Sequence, residues 1–180
     1  MNLGDTLSVT FINNLLAPTS VHFHGIFQTN SVEMDGSGII SQCEIKPGAS
    51  FTYTFTPSQT GTYWYHSHSS TQYVDGLRGS LVIFNPANTF NYQFQSLVEV
   101  YDWYHSPSSA LLPGYLASLT GNEPVPESIL LNGVGQFGCI SCPYSKIEVP
   151  QNSVIRLRVV NQAAMAIISF SIDGFQLTVI

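Results

Sequence analysis

The chain has 180 residues, 44% of them hydrophobic, which is long enough for one large or two small domains with a real core. Only five are Lys or Arg, charged residues total 9%, and the formal net charge is −6, so there is no basic stripe for a nucleic acid or an anionic membrane to grip. A cationic substrate fits that balance. No apolar run reaches the roughly 18 residues a spanning helix needs, and Met1 leads directly into a polar turn and strand, so no signal peptide is expected in this chain.

In chain order, the composition predicts an all-β protein. Thr6 to Ile12, Ser50 to Thr56, Gly61 to His66 and Gly79 to Phe84 are rich in Val, Ile, Thr, Phe and Tyr, with Gly, Pro or Asn between them, a spacing that suits a Greek-key sandwich. We expect a first domain over 1–86, a linker over 87–94 around Asn85-Pro86-Ala87-Asn88, and a second domain over 95–180. In the second, Trp103-Tyr104-His105-Ser106 is read as opening a short helix, with Pro107 and Pro113 bounding a loop. Ser153 to Val160, Ile167 to Ile172 and Gln176 to Ile180 read as further strands. No long amphipathic helix is expected.

Of five histidines, four form two His-x-His pairs, His22-Phe23-His24 and His66-Ser67-His68. Random placement would give roughly 0.14 such pairs in a chain of this composition, so two are not an accident of composition. Each pair ends a strand-like run. Residues at i and i+2 of a strand share a face, so each pair aims two imidazoles at one spot, and two strands together offer four nitrogen ligands. His24, His66 and His68 are expected to bring their nitrogens within about 3 to 6 Å of one another. Imidazole suits copper, which heads the divalent affinity order at such sites. Zinc would accept the same nitrogens, although no Cys lies beside either pair.

The run Val21-His22-Phe23-His24-Gly25 and the run Gly61-Thr62-Tyr63-Trp64-Tyr65-His66-Ser67-His68-Ser69-Ser70-Thr71-Gln72-Tyr73 together resemble the first copper-binding domain of multicopper oxidases. Gly4-Asp5-Thr6-Leu7, Gln42-Cys43-Glu44-Ile45-Lys46-Pro47-Gly48 and Asp75-Gly76-Leu77-Arg78-Gly79 fall where that family has similar segments, and the likeness runs to Ile180. It implies cupredoxin-like sandwiches, one nearly complete and lacking its first strands, the second truncated. It also implies that His22 ligates a type 2 copper, while His24, His66 and His68 ligate a binuclear type 3 centre. The blue-copper site and the cluster's other four histidines would belong to a third domain outside this sequence. The chain is therefore expected to be the amino-terminal part of a secreted or cell-surface enzyme and not to turn over alone. The reading of another class is a small, non-catalytic copper-binding module.

Further roles follow from the same resemblance. Asp35, 13 positions after His22, matches an acid near the cluster and would relay protons for the reduction of dioxygen to water, although an Asp-Gly turn needs no function. The stretch Thr120-Gly121-Asn122-Glu123-Pro124-Val125-Pro126 is similar to one in fungal ferroxidases, where this glutamate helps to bind ferrous iron and an iron permease is the partner. Ser69-Ser70-Thr71-Gln72-Tyr73 and Phe170-Ser171-Ile172-Asp173-Gly174 look more like fungal laccases, which oxidise phenols, yet Ala164 and Met165 stand where laccases place their phenol-contacting acid. Ferrous iron is the favoured donor and a phenol the alternative. His105 belongs to no pair and is read as packing, and Trp64 and Tyr65 as a wall that holds the imidazoles. Cys139 and Cys142 form a C-x-x-C, read as disulfide cysteines beside a leftover thiol. By the laccase pattern Cys43 would bond a cysteine at the place of Ala164, so Cys139 or Cys142 must substitute if that bridge survives; otherwise the leftover cysteine's partner is expected in sequence outside this chain.

Overall fold

The computed structural model describes residues 1–180 and contains eight strands, one α-helix and one 3-10 turn. Strands β1 (Leu7–Ile12) and β3 (Ser50–Phe55) form an antiparallel pair; β2 (Val21–His24), β4 (Gly61–Ser67) and β5 (Arg78–Ile83) form a second sheet in the order β2-β4-β5. A third sheet, ordered β7-β6-β8, joins β6 (Phe94–Trp103) antiparallel to β7 (Ser128–Leu131) and parallel to β8 (Ile155–Asn161). The protein is all-β.

Strict alternation builds the core. On β1 and β3, Val9 faces Tyr53 and Phe11 faces Phe51 on the inner side, while Ser8 pairs with Thr54 and Thr10 with Thr52 through their hydroxyls outside. The inner rings meet Val21 and Phe23 of β2, and Phe23 packs edge-on against Phe55 and Tyr53 at centroid distances of 4.8 and 5.3 Å. Tyr53 is fully buried, and its hydroxyl accepts the Val21 N–H at 2.9 Å. One residue thus supplies both apolar filling and a partner for β2's backbone.

Several expectations change. Trp103 ends strand β6 rather than opening a helix; the helix, α1 (Ser108–Ala117), starts after Pro107 and contains Pro113. Proline is tolerated just ahead of a helix, and Ala110-Leu111-Leu112 is a strong helical run that carries the chain past Pro113. Residues 167–172 and 176–180 form no strands: no neighbouring segment offers them a ladder, and strand propensity without a partner makes no sheet. Cys139 bonds Cys142 and Cys43 is an exposed free thiol, so neither substitutes as its partner. No helix is long and apolar enough to cross a membrane.

A short 3-10 turn, Val32–Met34, leads into Asp35 and Gly36, which lies flat on β2 with φ of +81°. A Cβ added there would stand 1.7 Å from the Val21 carbonyl oxygen, a backbone atom that cannot step aside. Gly36→Ala should therefore destabilise the chain by at least about 2 kcal/mol, combining left-handed strain with the displaced turn, as a lower midpoint in urea unfolding will show. An unchanged midpoint would mean that the turn is not seated on β2.

Candidate metal centre

The alternation that buries Val21 and Phe23 turns His22 and His24 to the opposite face of β2. Register does the rest: His22 stands directly across from His66, and His24 across from Trp64. His66 and Trp64 are two apart on β4 and share that face. One nitrogen from each of His22, His24 and His66 lies within 4.8 Å of the others. His24 Nδ1 and His66 Nε2 approach to 3.1 Å.

His68 falls one residue past the end of β4. Its ring centroid is 5.4 Å from that of His22, as close as His66 comes, and 6.2 Å from that of His66, but the nitrogens gathered within 4.8 Å are those of the other three. The tightest set thus contains His22 in place of His68. A strand period places residues only while the ladder lasts, and here it stops at Ser67.

Hydrogen bonds fix the tautomers. The His22 Nδ1–H donates to the Asp35 carbonyl at 2.8 Å, and the His66 Nδ1–H donates to the Ser67 carbonyl at 2.8 Å. A carbonyl only accepts, so both rings keep Nε2 bare for a metal. His24 Nδ1 then donates to His66 Nε2, a hydrogen bond that a cation held by His66 Nε2 would replace. Burial pushes the His66 imidazole down to about 4, outweighing its carbonyl partner, and the neighbouring histidines add to the effect. His24 is lowered too, by burial and then by His22 and His68. Three borderline nitrogen donors with no thiolate among them suit copper.

Around the imidazoles, Trp64 stacks on His24 at 4.9 Å and 28° and covers His66 at 4.3 Å. Tyr65 does not join this wall: it points into the core against Phe11 and Phe23. Its place is taken by Tyr73, whose ring is 5.2 Å from His66. Sequence reasoning missed that role, although the i, i+2 rule excludes Tyr65 from the face that carries His66.

Asp35 reaches His22 by side chain as well as main chain, its Oδ1 lying 3.3 Å from Nδ1 while Ser37 Oγ donates to its Oδ2 at 2.5 Å. Glu123 sits exposed in the loop after α1, away from the imidazole group, and Tyr104 Oη anchors that loop by donating to the Pro124 carbonyl at 3.0 Å. Burial, then the Asp102 charge, push the Tyr73 phenol above its usual range against the opposing pull of Arg78. His105 lies apart, stacked on Phe137 at 3.9 Å, with Glu127 accepting its main-chain N–H at 3.1 Å.

Comparison with known proteins agrees with this geometry. Two sequence profiles, each describing a multicopper oxidase, match residues 1–88 and 94–180. Laccase-4 of Thanatephorus cucumeris and Laccase-5 of Trametes versicolor are each 40% identical over 99% of this chain, which covers 36% and 35% of their respective lengths. Among solved structures, Fet3p, a multicopper oxidase that functions in iron import, superposes with a TM-score of 0.80 at 32% identity, over 90% of this chain and 30% of its own. The laccase of Botrytis aclada gives 0.79 at 36% identity, over 90% of this chain and 31% of its own. The chain spans about a third of the length of the relatives it matches. With profiles of one family over nearly all its residues, the chain belongs to the multicopper oxidases.

Proposed function

We propose that this chain is the amino-terminal, copper-holding part of an oxidase that couples one-electron oxidation of a small reductant to reduction of dioxygen to water. The observation that carries the reading is the gathering of the His22, His24 and His66 nitrogens within 4.8 Å, with His68 beside them. In this reading His22 holds type 2 copper, and His24, His66 and His68 hold the type 3 pair. Copper held there would supply one-electron redox chemistry. The protein's own groups do the rest. Burial keeps His66 unprotonated, Trp64 holds two ring planes, and Asp35, touching His22 on one side and Ser37 on the other, relays protons toward the reduced oxygen.

For the donor we favour ferrous iron, because Glu123 offers an exposed carboxylate in a loop similar to that of ferroxidases, and Met165 supplies no acid for a phenol. A second reading, oxidation of phenols, is supported by relatives that are laccases at 40% identity. Either donor places the whole protein in the secreted or cell-surface setting, with an iron permease as partner if the donor is iron.

Titration of the chain with copper should show His66→Ala weakening binding by roughly ten-fold or more, as loss of a ligand requires. Unchanged affinity would remove His66 from the metal and sink the reading. Stability carries a second mark: His66, ordinarily at 6.5 and held at about 4 when folded, binds fewer protons folded than unfolded between those values. Metal-free stability should therefore fall as pH drops from about 6.5 to 4, and His66→Ala should flatten that slope in urea unfolding. In a protein of the relatives' full length, Glu123→Ala should lower kcat/KM for ferrous iron about ten-fold, or about 1.4 kcal/mol, with much less effect on phenols. Equal losses for both donors would favour the laccase reading.

A further inference from the structure

His68 is the one paired histidine that no strand holds. Beyond Ser67 its own main chain makes one bond, the His68 N–H donating to the carbonyl of Ser20, the residue before β2, at 3.1 Å, and the next residue, Ser69, bonds Ser67 Oγ through its N–H and Glu44 through its hydroxyl. From Ser69 to Gly76 the chain then runs through successive turns, closed by Gln72 to Ser69, Val74 to Thr71, Asp75 to Gln72 and Gly76 to Tyr73. Tyr73 lies on the same stretch. Turns of this kind hold their shape only when something outside them fixes their ends.

One end is fixed locally, where Ser67 Oγ donates to Gln72 Oε1 and Gln72 Nε2 donates to the Pro18 carbonyl, both at 2.8 Å. The other end is fixed from outside. Ser108, first residue of α1, donates its N–H to Asp75 Oδ1 at 2.8 Å and shares its hydroxyl hydrogen between Asp75 Oδ2 at 2.7 Å and the Thr71 carbonyl at 3.1 Å. The bond has a physical reason on both sides: a helix leaves its first N–H groups unpaired, and its positive end favours a carboxylate. No side chain of α1 caps that end itself. Ser108 is only 6% exposed, so water is poorly placed to replace it.

We propose that Ser108 is a positioning residue for the metal centre, acting through Asp75 and Thr71 on the turn-built loop that carries His68. The proposal rests on the reading of His68 as a copper ligand. It makes α1, an element of the second half of the chain, a determinant of metal affinity in the first half. The contacts between the sheets do not run through Ser108 alone: Arg78 independently donates to the Gln162 carbonyl at 3.3 Å and lies over the Tyr101 ring at 4.0 Å. Loss of the Ser108 hydroxyl therefore removes the bonds to Asp75 Oδ2 and the Thr71 carbonyl and loosens the loop, while the Ser108 N–H keeps Asp75 Oδ1 and the sheets stay together.

The test is a double-mutant cycle on the intact 180-residue chain, read as copper affinity by titration alongside urea unfolding. Ser108→Ala should weaken copper binding about ten-fold, within the range by which residues that touch neither ligand nor metal shift an affinity through an intervening segment, and Ser108→Thr should restore most of it. In a His68→Ala background, Ser108→Ala should change affinity less than about two-fold, because the residue through which it acts is gone. Unchanged affinity in Ser108→Ala, or the same ten-fold loss in both backgrounds, overturns the proposal. If Ser108→Ala does not unfold cooperatively, Asp75→Ala, which removes both carboxylate acceptors that Ser108 uses, takes its place in the same cycle, where the same two results support or overturn the proposal. The underlying metal reading is judged separately by His22→Ala and His66→Ala: if these leave copper binding intact, that reading fails whatever Ser108 does.

Discussion

The four residues of β2 face two ways, and the rest of the molecule is arranged around that fact. Val21 and Phe23 are almost wholly buried, while His22 and His24 stand on the other face. A slip of one residue in the pairing with β4 would bury the imidazoles and expose the rings. Each fully buried apolar side chain contributes about 1.5–3 kcal/mol, so the core resists that slip strongly. The imidazole geometry is therefore inherited from hydrophobic packing on the far side of the sheet. Phe23 against Phe55 and Tyr53 holds His22 opposite His66 as surely as any contact the histidines make themselves.

The same closeness creates an electrostatic problem whose solution prepares the site. Four imidazoles this near one another cannot all be protonated, and burial moves His66 and His24 toward the neutral form. Neutral rings with Nδ1 committed to a carbonyl present a bare Nε2, the form a metal needs. The stacked indole of Trp64 adds no charge and fixes ring planes. Site and core thus depend on the same packing, in which removing water both stabilises the fold and keeps protons away from the nitrogens.

Much of this was legible in the sequence because period-2 alternation is a local property. Two His-x-His pairs at the ends of strand-like runs imply shared faces, and alternating Thr and aromatic residues imply β1 and β3. What could not be read was set by register and by partners distant in sequence. Which aromatic residue walls the site depends on the face of β4, which turns Tyr65 inward, and on the turns that return Tyr73 to His66. The expected strands over residues 167–172 and 176–180 have the right composition but no ladder beside them. Helix α1 reads as a loop when Pro107 and Pro113 are weighed above the Ala-Leu-Leu run between them, whose helical propensity prevails in the fold.

Junction chemistry explains why the second half of the chain matters to a site whose histidines all lie in the first. Ser80 Oγ donates to Glu99 Oε1 at 2.6 Å, and Gln162, almost wholly buried, bonds both partners, so the β5 and β6 strands meet through a closed polar network. Beside it the buried Asp102 carboxylate gathers the main-chain N–H groups of Ala164, Met165 and Ala166 at 2.8 to 3.1 Å. Polar groups buried in this way are costly when any one partner is lost, because the remainder is left without water. Such a junction therefore tolerates few relative positions of the two sheets, whereas an apolar contact of similar area would allow sliding. The loop from His68 to Asp75 begins at one of these sheets and ends in a bond to the helix that follows β6, so the junction's limited freedom becomes the loop's own.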